Sequence, residues 1–176
     1  INQVPINKYS ASDLRNNIVY MPKKPFFLQG TIMDNLKLGQ NEISDLEVIE
    51  VCKKVGIHSD IQKLEKGYYE LIESGGENFS SGQKQKLGFV RVLLKKADIV
   101  LLDEVTSDLD GEAERQICNQ IEEIAKKAIV LNIAHKPESI RRSKKVFFIQ
   151  GGKIVAEGTH KALMKNCVDY KKIFAN

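Results

Sequence analysis

The spacing of apolar residues divides this chain into alternating strands and helices. "IVY" at residues 18–20 is a short apolar run stopped by Pro22, as expected of a strand. Residues 44–55 predict a helix: Ser44 caps it, Glu47 follows three residues later, and Gly56 ends it. Its expected buried side is Leu46, Ile49 and Val55. A second helix is predicted over residues 80–96, with Gln83, Leu87, Val90 and Leu94 on one stripe and Lys84, Arg91 and Lys95 on the other. Residues 99–102 form a continuous aliphatic run, the pattern of a central parallel strand covered on both faces. A helix over residues 112–127 places Ile117, Ile121, Ile124 and Ala128 at helical spacing, and residues 129–134 give another strand that ends at His135. Strand, helix, strand implies a right-handed crossover and parallel pairing. Residues 146–149 and 153–156 meet across Gly151 and Gly152 as an expected β-hairpin, and Thr159 caps a short closing helix. The order is α/β, with a mostly helical insert between the first strand and Asp98.

Composition narrows the class. The chain has 176 residues, enough for one domain with a real core. Hydrophobic residues make up 42% and charged residues 28%, so the chain reads as globular rather than disordered. The net charge of +4 is spread over scattered lysines, with no basic block of the kind that binds nucleic acid. Cys52, Cys118 and Cys167 share no metal-ligand spacing and each falls in an expected helix, the pattern of reduced thiols. No apolar run approaches the roughly 18 residues of a membrane span. The start, Ile1-Asn2-Gln3-Val4-Pro5, has neither an initiator Met nor a signal-peptide pattern, and reads as a cut inside a longer chain.

The candidate chemistry gathers where strands end. Ligands of parallel sheets collect at the carboxyl ends of the strands. Asp103 and Glu104 follow directly on one aliphatic run, and His135 ends the strand expected beside it. An acid pair there is costly unless something cationic meets it. The first carboxylate can hold Mg²⁺, directly or through water, and the second can orient an attacking water. His135 can donate to an anionic phosphate oxygen. The plainer readings are a strand emerging into water and a capping histidine. Ser80-Ser81-Gly82-Gln83 opens a helix, where amides, hydroxyls and the positive dipole end suit an anion. An ordinary capped helix start has the same look.

Taken together, "FSSGQ", "IVLLDE", "SDLD" and "IAH" resemble, in order and spacing, the motifs of the ATP-binding cassette (ABC) ATPases. "FSSGQ" is similar to the signature motif, with Ser81 where glycine is commoner. "IVLLD" plus Glu104 resembles the Walker B strand and its catalytic glutamate. "SDLD" resembles the D-loop, with Asp108 in place of the usual alanine, and His135 takes the switch-histidine position. "VYMPKKPFFLQGTIMDNLKLG" looks like the Q-loop region of exporters, and "GGKIVAEGTHKALM" like their C-terminal hairpin and helix.

Two departures stand out. The chain has no Gly-x-x-x-x-Gly-Lys-Ser/Thr, so the Walker A loop that cradles the β- and γ-phosphates is missing. Without that loop's amides and lysine, the chain alone is expected to bind ATP weakly or not at all and to be inactive. The Q-loop position is Lys23, which offers donors and no acceptor. Either the site is tuned or partly degenerate, with Gln29 or a water taking over, or Lys23 is a solvated loop lysine.

The resemblance implies a P-loop-NTPase-like parallel sheet core lacking its P-loop segment, a helical signature subdomain and a C-terminal β-hairpin. The corresponding divisions are residues 1–31 (Q-loop region), 32–96 (helical signature subdomain) and 97–176 (Walker B, D-loop, switch histidine, hairpin and closing helices). It implies ATP and Mg²⁺ as cofactors, a second nucleotide-binding domain as partner, a transmembrane domain docked to the helical part, and a place at the cytoplasmic face of a membrane. Asp103 is implied for Mg²⁺, and Glu104 and His135 for catalysis. Ser80, Ser81, Gly82, Gln83, Ser107 and Asp110 are implied for nucleotide held across the dimer. The exporter character rests on "FLQGTIMDNLKLG" and "EGTHKALMKN", and a bacterial peptide or bacteriocin exporter is the expected parent. Two other classes share such motifs: the ATPase head of a DNA-repair or chromosome-maintenance protein, and a non-catalytic interaction module. No heptad run or clustered basic face favours the DNA class, and no nucleic acid is expected as a partner.

Overall fold

The computed structural model describes residues 1–38, 40 and 42–174. Gly39, the last residue of the Q-loop-like stretch, and the final two residues lie outside the described set. The chain forms two compact units, Ile1–Ile133 and a second from Ala134 onward.

The first unit opens with a 3₁₀ turn and helix α1 (Ala11–Asn17), capped by Ser10, before strand β1 (Ile18–Met21). The two-residue β2 (Gly30–Thr31) leads into α2 (Ile32–Lys37). There Thr31 and Asp34 close a capping box: Thr31 Oγ1 accepts from the Asp34 amide, and Asp34 accepts from the Thr31 amide. Helices α3 (Asp45–Val55) and α4 (His58–Gln62) follow, then β3 (Leu71–Ile72), antiparallel to β2. Next come α5 (Ser81–Lys95), β4 (Ile99–Asp103), α6 (Gly111–Ile124) and β5 (Ile129–Ile133). The sheet order is β1-β4-β5, all parallel, with Asp103 opposite Ile133 in register. The crossover expected between residues 99 and 134 is therefore present, and β4 is central.

Three expectations about faces need correction. Helix α3 is capped by Ser44 and ended by Gly56 as predicted, but its buried stripe is Val48, Cys52 and Val55. Leu46 points outward at 75% exposure, and Ile49 is only half-buried. Helix α5 packs against α2, α3 and β1, so it is buried nearly all round, and Arg91 lies half-buried instead of on a solvated stripe. Strand β4 is covered on one face only. Val100 and Leu102 point into the core, but the row containing Tyr20, Leu101, Ile129, Leu131 and Ile133 is open, with exposures of 55–63% at Tyr20 and the three β5 residues. No described element of the first unit covers that row. Helix α6 stops at Ile124, three residues short of the expected end.

The second unit contains α7 (Pro137–Arg141), the hairpin β6 (Val146–Gln150) and β7 (Lys153–Gly158) turning through Gly151 and Gly152, then α8 (His160–Asn166) and α9 (Val168–Phe174). Thr159 caps α8 as predicted, accepting from the Ala162 amide. A small core of Ile140, Phe148, Leu163 and Tyr170 holds it together. Cys167 sits at the break between α8 and α9, not within a helix, and all three cysteines are free thiols. Among the described residues, no helix is long and apolar enough to cross a membrane.

Candidate functional site

The acid pair lies at the carboxyl end of central strand β4, the position where a parallel sheet gathers ligands. Asp103 Oδ2 accepts from the Tyr20 hydroxyl at 3.3 Å. That contact joins β1 to β4, and the Tyr20 proton is held more tightly than usual, first by lost hydration and then by the Asp103 charge. Glu104 turns the chain sharply. Its φ is +50°, a left-handed conformation that costs a non-glycine residue about 1–2 kcal/mol. The turn is pinned on both sides: the Glu104 amide donates to Ile133 O at 2.9 Å, and Glu104 O accepts from the Ser107 amide at 3.0 Å.

Lys23 meets this carboxylate directly. Its Nζ lies 2.6 Å from Glu104 Oε2, with the Lys23 side chain 52% and the Glu104 side chain 20% exposed. The ammonium is held above its ordinary pKa, chiefly by the hydrogen bond to Glu104 and then by that group's charge, with Asp108 and Asp103 adding smaller effects. The lysine at the Q-loop-like position, though half exposed, is thus not an unpaired loop lysine. It is the counter-ion of the glutamate.

Helix α5 holds the Lys23 segment in place. Gln85, fully buried, donates from Nε2 to Lys23 O at 2.8 Å, while its Oε1 has no partner. Gly88 is pressed by Pro25: a Cβ there would come within 2.6 Å of Pro25 Cγ and 3.1 Å of Met21 Cε, so only glycine admits this approach. Arg91 donates to Phe26 O, and to Asn35 O and Oδ1 at 2.8 Å each, and its guanidinium lies 4.4 Å from the Phe27 ring centre. Burial pulls that guanidinium down to about 10. Asn35 completes the staple by exchanging hydrogen bonds with Leu28 at 2.9 Å each way.

The amino end of the same helix carries the signature-like turn. Ser80 Oγ accepts from the Gln83 amide at 3.2 Å, and Gln83 Oε1 accepts from the Ser80 amide at 3.0 Å. This capping box leaves the amides of Ser81 and Gly82 as the first-turn donors lacking an intrahelical acceptor. A Cβ on Gly82 would lie 3.3 Å from Asp108 O, so the turn and the segment 107–110 touch closely. Together they line a cleft of about 400 Å³, shared by Ser80, Ser81, Gly82, Gln83, Asp108 and Asp110, with Lys86 and Asp60 at its side. Against three carboxylates the lining sets the cation Lys86, so a phosphate there needs further positive partners. Asp110 is committed to capping α6, accepting from the Glu112 and Ala113 amides. The Ser107 hydroxyl is buried without a partner.

The structure therefore brings the expected residues into two groups within the first unit: Asp103 and Glu104 with Lys23, and Ser80 to Gln83 with Asp108 and Asp110. His135 belongs to the second unit, two residues past β5. Among the described residues, no cluster of three His, Cys, Asp or Glu side chains could hold a metal. The hard oxygens of Asp103 and Glu104 nonetheless suit Mg²⁺, which takes one or two carboxylates and completes its shell with water and phosphate. Tyr20, Gln85, Asn35 and Arg91 were missed in the sequence. Nothing local in the sequence marks them: Gln85, fully buried, lies between Lys84 and Lys86.

Comparison with known proteins places these groups in context. Residues 1–107 match the family described as "ABC transporter". The chain is 36% identical over 174 residues to an ABC multidrug transporter of Trichophyton rubrum, covering 97% of the chain and 13% of that protein. It is 37% identical over 173 residues to a putative export ATP-binding/permease protein of Rickettsia typhi, covering 98% of the chain and 30% of that protein. It superposes with a TM-score of 0.91, at 27% identity, on a bacterial Atm1-family ABC exporter solved with ATP bound, covering 97% of the chain and 30% of the exporter chain. The chain thus spans less than a third of the length of these relatives.

Proposed function

The chain belongs to the ABC transporter family, and from that premise we propose that it is part of the ATP-hydrolysing domain of an exporter. In this reading, ATP binding and hydrolysis at a dimer interface drive transport through a membrane domain. The observation that supports it most is the placement of Asp103 and Glu104 at the carboxyl end of the central parallel strand, with Glu104 fixed in a strained, doubly pinned turn. Strain of that kind persists where the surroundings over-determine it, commonly at working sites.

The roles follow from the chemistry of each side chain. Asp103 offers the carboxylate for Mg²⁺, which when bound neutralises phosphate charge. Glu104 accepts the proton of the attacking water at a carboxylate oxygen, once released from Lys23. His135 donates to a γ-phosphate oxygen as charge grows there. The amides of Ser81 and Gly82, with Ser80 and Gln83, meet the γ-phosphate of nucleotide carried by a second nucleotide-binding domain. Ser107 and Asp110 lie on the segment that contacts that partner, and the helical part, residues 32–96, docks to the membrane domain. The open apolar row of β1, β4 and β5 suits packing by the Walker A-bearing part of the cassette, which also supplies the phosphate contacts absent here.

The test is ATP turnover by a polypeptide that carries this chain together with a Walker A segment, wild type against Gly82→Asp. An added carboxylate at the signature turn should abolish turnover. Unchanged hydrolysis would reject the role given to that turn. The 176-residue chain alone should show no calorimetric binding of MgATP.

A further inference from the structure

Lys23 is anchored in a way that ordinary surface lysines are not. Its carbonyl is fixed by the buried amide of Gln85, and its segment is clamped by Pro25 against Gly88 and by Arg91 beyond it. Its partner is anchored too, because the Glu104 backbone is held by Ile133 O and by the Ser107 amide. With both backbones fixed, the 2.6 Å pair loses less freedom on forming than an exposed ion pair between mobile chains. The ammonium also feels the charges of Asp103 and Asp108. It therefore sits in the negative field that a divalent ion would enter. Resting on the reading of Asp103 and Glu104 as a cation-handling pair, we propose that Lys23 is a built-in competitor of the divalent ion: a tethered ammonium that holds Glu104 until it is displaced.

Two consequences follow. Cation binding at the acid pair is weaker than the carboxylates alone allow, because the incoming ion meets a positive charge already paired with Glu104. Glu104 becomes available to a water only when the ion pair opens. Lys23 is then a positioning residue whose release gates the glutamate.

The test uses the 176-residue chain and Mn²⁺ alone as probe, read by water-proton relaxation at low salt. Lys23→Gln and Lys23→Met should bind Mn²⁺ about tenfold more tightly than wild type, the order of effect of removing one charge at this range in a partly screened site. Lys23→Arg should stay near wild type, since it keeps the charge. Adding Asp103→Asn to Lys23→Gln should erase the gain, and raised salt should shrink it. A lysine with a merely structural role would not tighten cation binding when lost. If binding depends on Asp103 but Lys23→Gln and Lys23→Met bind no better than wild type, the competitor role is wrong while the cation site stands. If Asp103→Asn leaves the Lys23→Gln variant unchanged, or if that variant binds no Mn²⁺, the cation-site reading falls and takes the competitor with it.

Discussion

Removing the Arg91 guanidinium is the most informative single perturbation of this fold, because one side chain joins α5 to the segment that carries Lys23. Arg91→Met keeps length and apolar bulk but loses the hydrogen bonds to Asn35 O, Asn35 Oδ1 and Phe26 O, and the stacking on Phe27. A hydrogen bond from a charged donor contributes about 1.5–3 kcal/mol, and cation–π stacking about 0.5–2. Against that, burial disfavours the charged guanidinium, as its depressed pKa of about 10 indicates, so the variant recovers part of the loss. Asn35 Oδ1 also keeps its bond from the Leu28 amide. The net cost should be about 3 kcal/mol, near the upper range of single substitutions. With a urea slope of about 2 kcal/mol/M, the unfolding midpoint by far-UV circular dichroism should fall by about 1.5 M. Arg91→Lys should lose about half as much, since an ammonium cannot span the planar fork. Hydrogen exchange at the Leu28 amide should quicken in both variants. A midpoint within about 0.3 M of wild type for Arg91→Met would refute the staple.

Gly88→Ala should destabilise although alanine favours helix, because its Cβ would sit 2.6 Å from a rigid proline ring. Overpacking of this kind costs about 1–3 kcal/mol, so differential scanning calorimetry should show the melting temperature down by about 5 °C. Asp34 gives a pH prediction. Its carboxyl is held below the ordinary value, chiefly by the Thr31 hydroxyl and then by the Thr31 amide. A depressed carboxylate stabilises fully above its unfolded pKa, and that contribution disappears as pH falls through the lower, folded value. Urea midpoints measured from neutral pH to below about 4 should therefore fall less steeply for Asp34→Asn than for wild type, and parallel curves would contradict the assignment.

Much of this architecture was legible because it rests on local or periodic signals. Ser44, Gly56, Ser80 and Thr159 mark helix ends through bonds to residues only a few positions away. The aliphatic run before Asp103 and the helix after it imply parallel pairing through handedness alone. Misreadings arose where tertiary neighbours decide. A stripe through Leu46 or Val48 is nearly equivalent on α3 in sequence, and only the positions of α2, α5 and α6 select Val48 and Cys52. Charge on a helix ordinarily faces water, whereas carbonyls from residues 26 and 35 receive Arg91 here. The site divides in the same way. The acid pair after an aliphatic run and the Ser80–Gln83 helix start are visible in composition and order. The Lys23–Glu104 pair and the Gln85 bond to Lys23 O join residues 81 and 62 positions apart, and no short pattern encodes them.

The central claim, that Glu104 is the general base of an ATPase, is tested most directly by Glu104→Gln in a transporter polypeptide that carries this chain with a Walker A segment. Glutamine keeps the shape of the side chain and cannot take a proton. The account predicts ATP binding within a few-fold of wild type and turnover lower by at least about 10²-fold. A variant that hydrolyses ATP at the wild-type rate would contradict it.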